Sequence, residues 1–91
     1  MPSADPEIDL HGLRPEQALR RLAQELHAAR VRGATRLLVI TGRGWGNLEQ
    51  KPILRGKVEV WLRGGEARAL GVLTQRVVAK GGALEVTLGA R

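Results

Sequence analysis

The feature that most constrains this chain is a long helical stripe between two short aliphatic runs. Ala18, Leu22, Leu26 and Ala29, flanked by Leu19, recur three and four residues apart, which places them on one face of a helix. Pro15 fits the first helical position, where its missing N–H costs nothing. Leu13 is placed to pack on Ala18 as a hydrophobic staple. Gly33 closes the pattern with a normal C-terminal signal, so the helix spans residues 15–32. Residues 7–11 alternate in polarity and read as a strand. Residues 36–41 hold four consecutive aliphatic side chains, Leu37 to Ile40, and read as a central strand buried on both faces. A strand, a helix of this length and a second strand form a crossover, which makes the two strands parallel.

The rest of the chain extends this unit. Pro52 opens a second helix carrying Ile53, Leu54, Val58, Trp61 and Leu62, and Gly64-Gly65 ends it. Two further strands, residues 72–78 and 84–88, flank a tight turn at Gly81-Gly82. The last strand alternates cleanly, with Leu84, Val86 and Leu88 on one face and Glu85 and Thr87 on the other. The order β-α-β-α-β-β predicts an α/β two-layer sandwich. It has a four-stranded mixed sheet, with strands one to three parallel and the last antiparallel, and two helices on one face. Residues 1–6 are expected to be a frayed lead-in and residues 7–91 one domain.

Composition limits the function classes. Ninety-one residues with 43% hydrophobic content and neither Phe nor Tyr support one small core built from Leu, Val, Ile and Ala. The absence of cysteine excludes disulfides and thiolate metal sites and is compatible with a reducing cytosol. No basic and apolar leader precedes the domain, and no aliphatic run approaches the length of a membrane span. A cytoplasmic location without a membrane partner is therefore expected. The formal net charge is +6, and twelve of the fifteen basic residues are arginine, the residue that grips phosphate with a planar fork. Between Arg30 and Arg76 there are ten basic residues and three acidic ones, the electrostatic footprint of a nucleic-acid partner.

Parallel strands one and two end on the same edge of the sheet, where ligands of α/β folds bind. Asp9, His11 and Gly12 end the first strand. Thr41, Gly42, Arg43, Gly44 and Trp45 follow the second. Asp9 and His11, two apart, share a strand face opposite Ile8 and Leu10. A carboxylate there can orient the imidazole and raise its basicity; the same pair can instead stabilise a turn. The loop of Gly42, Gly44 and Gly46 matches neither a dinucleotide fingerprint nor a nucleoside-triphosphate loop. Its glycines permit backbone N–H groups to approach a phosphate. Arg43 adds a charged fork, and Trp45 can stack on an unpaired base for about 1–3 kcal/mol. Ser3 is the one serine and lies in the lead-in, so hydrolysis would use water. His27 falls on the solvent face of the first helix.

Ile-Asp-Leu-His-Gly-Leu at 8–13 and Thr-Gly-Arg-Gly at 41–44 resemble the two signature motifs of the Smr (small MutS-related) domain. Pro52-Ile53-Leu54 and Val60-Trp61-Leu62 resemble the second helix of its stand-alone bacterial members, and residues 80–88 resemble its ending. The resemblance implies a fold like the C-terminal domain of translation initiation factor 3. It implies nucleic-acid binding and, in several members, nicking or cleavage of DNA or RNA, some of it at stalled ribosomes. Asp9 and His11 correspond to the expected catalytic pair, and Gly42 to Gly44 to the substrate-binding loop. Thr41 stands where many active members carry histidine. Threonine does not serve as a general acid at neutral pH, though it can donate a hydrogen bond to phosphate. The expectation is a structure-directed endonuclease with Asp9 and His11 catalytic, and Gly12, Thr41, Gly42, Arg43, Gly44 and Trp45 binding phosphate and substrate. The alternative is a non-catalytic nucleic-acid or ribosome-binding module. Mg²⁺ or Mn²⁺ is the candidate cofactor, although Asp9 and His11 alone are too few ligands to define a metal site.

Overall fold

The computed structural model describes residues 6–42, 53–78 and 82–89. The chain runs β1 (Glu7–Asp9), α1 (Pro15–Val31), β2 (Arg36–Ile40), α2 (Ile53–Leu62), α3 (Gly65–Ala69), β3 (Val72–Val78) and β4 (Ala83–Leu88). These strands form one four-stranded mixed sheet in the order β1-β2-β4-β3. β1 is parallel to β2, and β4 is antiparallel to both β2 and β3. β1, β2 and β3 thus point the same way, as the two crossovers require. The final strand inserts between β2 and β3, so β4 is central and β3 is an edge.

The predicted stripe of α1 is the face it buries: Ala18, Leu22, Leu26 and Ala29 are all fully buried. The Arg14 N–H donates to Gln17 Oε1 at 3.4 Å, which satisfies one otherwise orphaned group at the helix start. At the other end the Ala34 N–H donates to Ala29 O and the Gly33 N–H to Arg30 O, the closure that a glycine after the last turn permits. The helix covers one face of the sheet, contributed by Ile8, Leu37, Val39, Leu84, Val86 and Leu88. Val58 and Leu62 of α2 complete the core. Burying each such aliphatic side chain contributes roughly 1.5–3 kcal/mol. Trp61 and Leu13 are partly buried and pack against the cluster.

Three differences from the sequence-based expectation have local causes. The first strand is shorter than 7–11: Leu10 still donates its N–H to Ile40 O at 2.7 Å, but His11 has entered a turn. Gly64-Gly65 does end α2, but a third helix, α3, follows at once. Gly64 is its extended N-cap, and Ala67 on this single turn is fully buried in the core. A glycine pair ends a helix from one side and caps a new one from the other, so the pair alone gave only the stop. Thr41 lies beyond the end of β2; its N–H and that of Gly42 both donate to Gly82 O at 3.0 Å. The expected Pro52 helix start and the whole of 43–52 lie outside the described residues, as does Gly81. No helix among the described residues is long and apolar enough to cross a membrane.

A candidate site where two strand ends meet

Ile8 and Leu10 are buried at the end of β1, and Asp9 and His11 between and after them face out. Their side chains are 51% and 67% exposed, so the pair is open to a ligand. The hydrogen bonds show how the segment is shaped. Asp9 Oδ1 accepts the backbone N–H of His11 at 3.0 Å, the local i to i+2 bond by which an aspartate builds a turn. The same oxygen meets His11 Nδ1 at 2.5 Å. The turn therefore places the imidazole, and the strand pleat does not. Both roles anticipated for Asp9, turn former and histidine partner, are filled by one carboxylate oxygen.

Asp9 is held below its ordinary carboxyl pKa. The side-chain hydrogen bond with His11 is the largest cause, followed by the His11 backbone N–H, and the positive charges of His11 and Arg21 add to it against a small desolvation cost. An ionised carboxylate is acceptor-only, so Nδ1 of His11 must be the donor. In the neutral imidazole this leaves Nε2 unprotonated and free to accept a proton. Asp9 thereby selects the histidine tautomer that can act as a base.

The second motif meets the first through the backbone. Gly42 has φ +80°, and a Cβ built on it would stand 3.3 Å from His11 Cβ. Glycine is needed there both for the left-handed backbone and for the close approach. Gly12 also has a positive φ, +80°; its exposed amide has no partner among the described residues and sits next to His11. The Gly42 amide is already taken by Gly82 O. Thr41 is 5% exposed, and its hydroxyl donates to Gly42 O at 3.4 Å, so this side chain is turned into the protein. The structure thus brings together Asp9, His11, Gly12, Thr41 and Gly42. Arg43, Gly44 and Trp45 lie outside the described residues.

Sequence reasoning missed Arg21. It is exposed on α1, close enough for its charge to favour the Asp9 carboxylate. The available signal was its spacing of seven residues from Arg14, two helical turns along one face. His27 is exposed, as its place on the solvent side of the stripe predicts. No group of three or more His, Cys, Asp or Glu able to hold a metal ion occurs among the described residues.

The family model for the Smr domain matches residues 8–88. The Smr domain of Thermus thermophilus MutS2, a crystal structure, is similar with 30% identity and a TM-score of 0.74, over 92% of this chain and 98% of that one. The B3BP Smr domain, a solution structure, is similar with 28% identity and a TM-score of 0.62, over 91% of this chain and 77% of that one. No curated protein sequence gives a significant match.

Proposed function

The chain belongs to the Smr domain family, and from that premise we propose that it binds nucleic acid and hydrolyses a phosphodiester bond at the Asp9–His11 edge. The observation that carries the catalytic part is the Asp9–His11 contact, which leaves the imidazole Nε2 free in an exposed position beside two glycine turns. His11 Nε2 takes a proton from water as general base. The resulting hydroxide oxygen bonds to phosphorus, the bond to the leaving oxygen breaks, and that oxygen takes its proton from solvent water. The Gly12 amide is proposed to donate to the phosphate oxygen on which charge grows. Arg21 supplies positive charge beside the pair, and Arg43 is proposed to do the same from the loop. Trp45 is proposed to stack on an unpaired base. The net charge of +6 supplies the long-range attraction.

A second reading uses the same edge for binding alone. It is favoured by Thr41, which is buried and turned to Gly42 O. Among the described residues, His11 then has no second proton-transferring group beside it to protonate the leaving oxygen. On this reading the target is structured nucleic acid, ribosomal RNA included, held without cleavage.

Cleavage of supercoiled plasmid DNA and of structured RNA separates the two. The assay uses wild type, Asp9→Asn and His11→Ala, each with and without Mg²⁺ or Mn²⁺. Loss of cutting with binding retained in the variants supports hydrolysis. Wild type that binds and never cuts under any condition leaves the binding module. Binding indifferent to salt concentration removes the phosphate contacts that both readings share.

A further inference from the structure

A pair of arginines, Arg63 and Arg68, lies far from His11. A groove of about 240 Å³ runs between the α2–α3 corner and the first half of β3. β3 is the strand at the far edge of the order β1-β2-β4-β3. It runs in the same direction as β1, so its N-terminal half lies at the opposite end of the sheet from the turn that carries His11. The groove therefore stands diagonally across the molecule from the candidate catalytic edge.

We propose that this groove binds a nucleoside phosphate, its phosphate on Arg63 and Arg68 and its base against Gln75. Arg63 and Arg68 both line it. Arg68 is exposed and forms no ion pair among the described residues. Arg63 meets Glu59 at 3.5 Å, but Glu59 is also held by Arg55 at 3.1 Å, and a guanidinium has five N–H donors. No carboxylate occurs among the described residues lining the groove, so Glu59, outside the lining, is the competitor for Arg63 and none is present for Arg68.

Leu62, Val72 and Leu73 add apolar surface to the lining. Leu73 is 66% exposed, an apolar surface that a flat ring would cover. Gln75 then supplies the specific signal. Its Oε1 is buried with no hydrogen-bond partner, a cost relieved when the carboxamide turns to present that oxygen to a base in the groove. Exocyclic amino groups of bases carry the N–H donors such an oxygen lacks, and a carboxamide can pair with a base edge in two hydrogen bonds. A groove slightly smaller than those that enclose drug-sized ligands suits one nucleotide with its phosphate at the solvent rim.

The test is an amide NMR titration of the whole chain with adenosine monophosphate, inorganic phosphate and a short single-stranded oligonucleotide. Adenosine monophosphate is expected to shift the Thr74 and Gln75 backbone amides and the Gln75 side-chain NH₂. Inorganic phosphate at the same concentration should not. Arg68→Ala should weaken binding about tenfold or more, and Gln75→Leu should weaken it with the melting curve retained. His11→Ala should leave these shifts unchanged. An oligonucleotide that binds the groove at least tenfold more tightly than the mononucleotide identifies a strand as the ligand; equal affinity identifies a free nucleotide. Either result supports the site. Unmoved Thr74 and Gln75 resonances at millimolar nucleotide, equal shifts from inorganic phosphate, or an Arg68→Ala variant of unchanged affinity would overturn it. Cleavage at His11 is scored separately, so failure of that reading leaves this test intact.

Discussion

The two edges of the sheet invite comparison. The β1 edge is three residues long, and its features are set by a few residues in sequence: Asp9 bonds His11 two positions away, and Gly12 follows. The β3 edge is seven residues long, with a bulge between Val72 and Thr74. Its groove draws side chains from three elements, α2–α3 and the strand itself. One edge is built by a turn, the other by packing. A turn holds its groups through local hydrogen bonds and leaves them exposed. A groove exists only while helices and sheet stay docked.

The difference can be broken or sharpened by substitution. The largest effect is expected from His11→Ala, a loss of about 10²–10⁴-fold in cleavage rate, with nucleotide shifts at Thr74 and Gln75 untouched; single-turnover assays and the NMR titration read the two together. A loss at both edges from this one change would show that they are not independent. Leu84→Ala acts on what the edges share. Leu84 is fully buried at the centre of the sheet, and its truncation should cost about 2–5 kcal/mol in urea unfolding, with both activities falling together.

Gly42→Ala should act on the first edge alone. The new Cβ meets His11 Cβ at 3.3 Å in a backbone of φ +80°, so about 1–3 kcal/mol of strain is expected. Urea unfolding reads the stability loss, and the cleavage rate should fall while the groove titrates normally. The smallest effect is in pH. Because the Asp9 pKa is lowered by its bonds from His11, Asp9 contributes stability that is fully present above the ordinary carboxyl value of about 4. That contribution is lost as pH falls through the lower folded value. NMR titration of the Asp9 carboxyl should give a midpoint under the ordinary value, and His11→Ala should raise it. A midpoint unmoved by that substitution would detach Asp9 from the histidine.

Much of the first edge was legible because its signals are short-range. The alternation Ile8-Asp9-Leu10-His11 gave the buried and exposed sides correctly, although a turn delivers His11. The close approach of His11 to Gly42 followed from the parallel crossover, which the α1 stripe required. The inward turn of Thr41 was not legible, since its amide is bound by Gly82 from the β4 end forty-one positions along the chain. Nor was α3, whose buried Ala67 has no stripe of its own. Arg21 was hidden for a related reason: helical spacing locates a face, but the charge that face meets belongs to another element.

The α/β class, the parallel first pair of strands, the core stripe of α1 and the Asp9–His11 pair are all written in the amino-acid order, because each depends on periodicity or on neighbours within a few residues. Tertiary structure alone decided that β4 lies between β2 and β3, that Thr41 faces inward, and that Arg63, Arg68 and Gln75 share one groove. Those outcomes depend on which surfaces dock once the core has closed, and docking brings together residues whose separation along the chain carries no periodic signal.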